Sequence, residues 1–193
     1  MEENIAAFLK VLDPEDNTTG GGTASAVAGA MAAALAAMVA RISIGKEGME
    51  PDDFYEGPIA RLTELSEGLF DGAREDSQAF EAVMGAFRMP KETDQEKAAR
   101  SQAIQKAWVG ATRLPLRNSA RCIETLEIAR ELEGRSNKNA ASDLTVGIYL
   151  ARAGALGSLE NVRINLPMIK DESLSEELAA EEQELRRRLE RLV

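Results

Sequence analysis

Histidine is absent from this 193-residue chain, and cysteine occurs once, as Cys122. These two scarcities exclude the usual zinc sites, the Ser-His-Asp triad, the Cys-His dyad and any internal disulfide framework. Acid–base chemistry must therefore come from carboxylates, lysine, tyrosine or bound water. Aromatic residues make up only 4%, too few for base-stacking platforms. Bases are outnumbered, 23 to 33, for a net charge of −10. Such a chain repels phosphate backbones and anionic lipid at long range, so neither nucleic acid nor membrane is expected as a partner. The first residues, MEENIAAFLKVL, lack the basic and long apolar regions of a secretory signal, and a cytoplasmic location is expected.

What is present is helical. Apolar residues at 44% and charged residues at 29% give an ordinary globular balance. The length suits one domain spanning residues 1–193, with no repeat or linker. Ile5, Phe8, Leu9 and Leu12 form a stripe on a short first helix. Residues 23–44 predict an alanine-rich helix in which Ala24, Ala28, Ala32, Ala36 and Ala40 repeat every four positions, beside a row of Gly29, Ala33 and Ala37. Small rows of this kind let neighbouring backbones approach closely, so this helix should be central. Residues 17–40 carry no charge. Alanine gains little from hydrocarbon, so a buried helix is expected there rather than a membrane span.

Pro58 is placed at the start of a third helix ending before Pro90. Thr93 and Glu96 form a capping box for a fourth, which Pro115 should kink or split. A fifth runs from about residue 140 into the 150s, where Gly154 and Gly157 thin it, and a further segment precedes Pro167. Ser173 and Glu176 form a second capping box. It opens a last helix with a Leu174, Leu178, Leu185, Leu189, Leu192 stripe and the pairs Glu182–Arg186 and Glu184–Arg188. The expected architecture is a single-domain all-α helical bundle around the alanine-rich helix.

Few residues are candidates for chemistry. Gly20, Gly21 and Gly22 precede Thr23 where the alanine helix begins. Three consecutive glycines expose backbone N–H groups beside a helix N-terminus, which favours anions, although from the residues alone a flexible loop with a threonine cap is the preferred reading. No lysine follows as a P-loop requires. Asp143 is the one charge between residues 139 and 151, and should be partly desolvated unless it faces solvent at a helix start. In Asn161-Val162-Arg163-Ile164-Asn165 polar and apolar residues alternate, so the three polar side chains are read as sharing a direction suited to a carboxylate or amide, a solvated turn being the other reading. Lys46 follows the central helix, where the helix dipole alone favours a cation. Asp76 lies in an acidic run that reads by composition as a solvated face.

Together these segments resemble the formiminotetrahydrofolate cyclodeaminase and methenyltetrahydrofolate cyclohydrolase family. The resemblance rests on an ordered set: Thr19-Gly20-Gly21-Gly22-Thr23, Met38-Val39-Ala40, Ile44-Gly45-Lys46, Glu75-Asp76-Ser77-Gln78-Ala79-Phe80, Met89-Pro90-Lys91, Ser142-Asp143-Leu144 and Asn161-Val162-Arg163-Ile164-Asn165-Leu166. It implies an all-helical homodimer acting on a one-carbon unit carried by tetrahydrofolate, with no metal or cofactor beyond that folate substrate. It further implies that Asp76 and Asp143 are the site's carboxylates, one shuttling protons and one holding the pterin ring. Gly20, Gly21, Gly22 and Thr23 would cradle the folate. Lys46, Lys91 or Arg163 would meet its carboxylates, and Asn137, Asn139 and Asn161 would position it. Thr18, Thr19 and Thr23 depart from the family's Pro-Thr-Pro-Gly-Gly-Gly-Ser, Ser136 replaces a glycine, and the histidine of bifunctional members is missing near Pro51. A non-catalytic helical dimer or a folate-binding module is the alternative reading.

Overall fold

The computed structural model describes residues 19–192. Five helices account for most of them: α1 (Gly21–Arg41), α2 (Asp52–Phe87), α3 (Asp94–Glu131), α4 (Ala141–Asn165) and α5 (Glu172–Glu190). Two single 3-10 turns, Lys138–Ala140 and Leu166–Met168, flank α4. There is no strand among the described residues. The stripe of Ile5, Phe8, Leu9 and Leu12 lies outside them.

The helices α1 to α4 form an antiparallel bundle, and α5 lies outside it across α3 and α4. The alternation is read from paired positions. Gly22 meets Asp76 on α2, and Gly29 meets Leu69. Gly68 and Gly72 meet Arg121 and Asn118 on α3, while Gly21 and Gly147 face Asn161 on α4 and Ala32 on α1. The helix α1 touches α2, α3 and α4, including the diagonal neighbour. Its fully buried positions include Ala26, Ala32, Ala33, Ala36 and Ala40, so its small side chains fill the centre while Leu62, Leu69, Ile123, Leu126 and Leu159 pack around them.

Glycine is sterically required where α1 and α4 cross. A Cβ on Gly154 would stand 2.7 Å from the Ser25 carbonyl oxygen and 3.0 Å from the Cys122 Sγ, and one on Gly157 only 2.1 Å from the Ser25 Oγ. Cys122 is buried in this crossing, and burial pushes its thiol pKa up to about 12, which keeps it protonated.

Several boundaries differ from the sequence reading. The central helix runs from Gly21 to Arg41 rather than 23–44, with Gly20 as an N-cap that makes no side-chain bond. Thr23 is therefore not the cap. The helix α2 begins at Asp52, and Pro58 lies within it. Asp52 and Asp53 in its first turn suit the positive end of the helix, so the start lies six residues before the proline. The helix α3 opens with the expected Thr93–Glu96 box and continues unbroken through Pro115. Proline cannot donate to the carbonyl of Ala111, one turn earlier. Asn165 of α4 supplies the missing donor, its Nδ2 lying 2.8 Å from that oxygen.

The helix α4 likewise runs uninterrupted past Gly154 and Gly157 to Asn165, because both glycines are contact points with α1 rather than breaks. The helix α5 is capped by Asp171, whose carboxylate accepts from the Leu174 N–H, rather than by Ser173. Leu178, Leu185 and Leu189 are buried as the stripe requires. Glu182 and Arg186 pair at 2.6 Å, but Arg188 reaches across to Glu127 on α3, leaving Glu184 to Arg187 and Arg191.

These contacts separate two kinds of glycine. Gly154→Ala should cost about 2 kcal/mol through overpacking against backbone, lowering the thermal midpoint by roughly 4–8 °C. Gly85→Ala places its methyl where nothing lies within 4 Å and should stabilise by about 0.5–1 kcal/mol. Thermal melts followed by circular dichroism distinguish the two outcomes.

Candidate functional site

The glycine run and Asp76 meet. The backbone N–H groups at the start of α1 lack intrahelical partners, and the Asp76 carboxylate from α2 lies against them. An added Cβ on Gly22 would stand 2.5 Å from Asp76 Oδ1, so only glycine admits the carboxylate at this distance. The Thr23 hydroxyl donates to Asp76 Oδ2 at 2.8 Å and lies 3.5 Å from the Ser77 Oγ. Asn161 of α4 approaches from the other side, its Nδ2 being 3.7 Å from where a Cβ on Gly21 would sit. That nitrogen donates to the Gly157 carbonyl at 2.8 Å, while Ser25 donates to the Gly21 carbonyl at 2.6 Å.

Two influences act on Asp76 in opposite directions. Burial disfavours its anion, while the Thr23 hydroxyl and backbone N–H favour it. Burial is the larger, and it raises the carboxyl above the ordinary aspartate value. The result is a half-buried acid with donors on one side and open chain at Gly20 and Gly21 on the other. Such a group can take and return a proton.

A second cluster gathers at the far end of α1. Lys46, Asn137 and Asn139 line a cavity of about 390 Å³ with Glu47, Gly48, Met49 and Lys138. The local chain is held by Ser43, which donates to the Val39 carbonyl and accepts from the Asn137 N–H, each at 2.8 Å. Asn137 also donates through Nδ2 to the Ile42 carbonyl at 3.2 Å and accepts from the Asn139 N–H at 3.0 Å. The buried Tyr55 hydroxyl, 2.5 Å from the Arg135 carbonyl, ties this turn to α2. Asp143 is half-buried in the first turn of α4, at this same end.

Within one chain, then, the two aspartates lie towards opposite ends of α1. The 21-residue helix spans about 30 Å. Asp76 is level with its first turn, and Asp143 is one turn before Gly147, which packs against Ala32 and Ala36. Arg163 is exposed and paired with Glu160 at 3.5 Å. The 161–165 stretch is helical, so Arg163 points away from Asn161 instead of sharing its direction. Asn165 is committed to α3. Lys91 is exposed in the turn between α2 and α3.

Residues 4–184 match the family described as formiminotransferase-cyclodeaminase. A methenyltetrahydrofolate cyclohydrolase of Methylorubrum extorquens is 38% identical over 91% of this chain and 85% of its own length. A formimidoyltransferase-cyclodeaminase of Gallus gallus is 30% identical over 90% of this chain, which spans 32% of that larger protein. The crystal structure of formiminotetrahydrofolate cyclodeaminase from Thermotoga maritima superposes with a TM-score of 0.83 at 31% identity, covering 95% of this chain and 88% of that one. The chain belongs to the formiminotransferase-cyclodeaminase family.

For this family member, sequence reasoning named Thr23 and Asp76 separately but missed that they bond to each other across 53 positions. It also missed Ser77, and an arginine-lined cleft between α2 and α3 that includes Arg113 and Arg117. The spacing of Arg113, Arg117 and Arg121 was visible, but a solvated face shows the same spacing.

The raised carboxyl fixes the sign of a stability test. A folded-state value above the unfolded one gives a contribution fully present below the unfolded pKa and lost as pH rises through the folded pKa. Asp76→Asn removes that loss. The variant should melt at a higher temperature than the parent at pH 7, and the gap should close as pH falls below the unperturbed 3.8. A lower midpoint for the variant at pH 7 would show that the Thr23 bonds outweigh burial.

Proposed function

We propose that this protein is a folate one-carbon enzyme, hydrolysing methenyltetrahydrofolate to formyltetrahydrofolate or cyclising formiminotetrahydrofolate with loss of ammonia. The observation that carries this reading is the half-buried Asp76 carboxyl held at the triglycine start of α1. The relatives named above support the substrate class. Both reactions pass through a tetrahedral carbon between two nitrogens. Each needs a base for the attacking group and an acid for the departing one. In hydrolysis, water attacks the methenyl carbon and gives a proton to Asp76. The bond from that carbon to the ring nitrogen then breaks, and Asp76 returns the proton to that nitrogen as the hydroxyl proton departs. In cyclodeamination the bridge nitrogen is the nucleophile and the same carboxyl protonates departing ammonia. These steps use the chain's own carboxyl groups and the substrate, with no metal or further cofactor.

The proposal includes a second copy of the chain. α1 is the one described helix long and apolar enough to cross a bilayer, but more than half of that window is buried in the bundle, as in a core helix; a cytoplasmic location is part of the proposal. The outer face of α1 is uncharged as far as Arg41 at its end and carries Met31 and Met38, at 51% and 37% exposure. Alongside, α4 exposes Val146, Tyr149 and Leu156. Packing this face on its two-fold mate in antiparallel fashion sets the start of one α1 beside the end of the other. Asp76 of one copy then faces Asp143, Lys46, Asn137 and Asn139 of the second. In this arrangement Asp143 accepts the pterin N–H donors, the asparagines flank the ring, and Asp76 moves the protons.

Loss of the near-ultraviolet absorbance of methenyltetrahydrofolate, and ammonia release from formiminotetrahydrofolate, test the two reactions directly. Asp76→Asn should lower kcat by at least about 100-fold. Binding without turnover by the parent protein would favour a folate carrier instead. The shared site makes a further prediction. Asp76→Asn and Asp143→Asn homodimers should each be inactive, and unfolding and refolding them as an equal mixture should restore about a quarter of parental activity, because half the dimers carry one intact site. No recovery would place each site within a single copy.

A further inference from the structure

A second concavity opens around α2 from Asp76. Glu75, Gln78 and Ala79 of α2 and Gly110, Arg113, Leu114 and Arg117 of α3 line a cleft of about 460 Å³. In a chain of net charge −10, two guanidinium groups face this space against one carboxylate. Arg113, Arg117 and Arg121 follow one another at four-residue spacing, so like charges stack along one face of α3, which is unfavourable unless each is compensated. Arg117 is paired with Glu75. Arg121 donates to the Gly68 carbonyl at 2.7 Å. Among the described residues no acid lies within ion-pair distance of Arg113, which leaves its fork free beside the Arg117–Glu75 pair.

The remaining lining narrows the chemistry of what would neutralise it. Ala79 and Leu114 supply an apolar wall, Gln78 an amide that both donates and accepts, and Gly110 open space in which an added Cβ would touch nothing within 4 Å. A guanidinium fork, an amide and an apolar wall together fit an acylated amino acid whose carboxylate meets the fork and whose acyl ring lies on the wall. Glu75 and Ala79, which line the cleft, stand one residue before and three residues after Asp76 on α2, so the cleft opens at the same level of that helix as the Asp76 carboxyl.

We propose that this cleft binds the glutamate end of the folate substrate, Arg113 receiving a carboxylate and Gln78 the amide. The proposal rests on the folate reading above, and it moves the carboxylate contact away from Lys46, Lys91 and Arg163. The test uses the full chain and two probes, 4-aminobenzoylglutamate and the uncharged 4-aminobenzamide, titrated by calorimetry or by nuclear magnetic resonance. The parent protein should prefer the glutamate-bearing probe. Arg113→Gln should weaken that probe about tenfold while leaving 4-aminobenzamide unchanged, and Arg113→Lys should fall between. In turnover, the same substitution should act mainly on KM. Equal binding of the glutamate-bearing probe by parent and Arg113→Gln overturns the assignment even if the parent turns over folate. Arg113-dependent binding by a parent that turns over no folate upholds the cleft and removes the catalytic reading.

Discussion

The bundle depends on how closely other helices can approach α1. Where α4 crosses it, even a single methyl on Gly154 or Gly157 would collide with Ser25. Where α2 crosses it, Gly22 makes the space that the Asp76 carboxylate occupies. The same absence of side chain therefore does two jobs along one helix. It lets the interior close at native density, and at one end it lets a carboxylate reach the unpaired N–H groups of a helix start. The site is an opening in the packing of α1, held by the packing around it.

This dependence explains why the fold was largely legible in the sequence. Alanine at four-residue spacing, a charge-free stretch and the Thr93–Glu96 box are local signals, and local physics was enough to place α1 and the start of α3. The boundaries that failed were those at which another element supplies what the local chain lacks. Pro115 does not divide α3 because Asn165, distant in sequence, donates to Ala111. Gly154 and Gly157 do not end α4 because α1 lies against them. Neither compensation can be read from a window of neighbouring residues.

The candidate site divides in the same way. The residue types were visible: a triglycine run, an aspartate in an acidic stretch, and asparagines in a turn. Their grouping could be read only from the family resemblance, not from composition, periodicity or spacing. By composition Asp76 read as one more solvated acid, while the family resemblance made it a site carboxylate; the fold shows it withdrawn from solvent and bonded to Thr23. Asp143 read as a lone charge among apolar neighbours, and it lies at the other end of α1. Alternation of polar and apolar residues across 161–165 suggested a shared direction, but a helix turns successive side chains by 100° and separates Arg163 from Asn161. The arginines of α3 failed as a signal for the opposite reason. Their spacing was plain, but only the cleft beside them tells a binding face from an ordinary wet one.

The bond between Asn165 and Ala111 has a consequence for the order in which the chain assembles. Until the last turn of α4 is in place, the carbonyl of Ala111 has no amide to satisfy it, and α3 has a weak joint at its middle. The two halves of that long helix are thus free to flex about Pro115 in a partly folded chain and become a single rod only on docking of a segment made 54 residues later. The continuity of α3 through Pro115 is thus coupled, by one amide side chain, to the seating of α4 at the end of the bundle that holds Asp76.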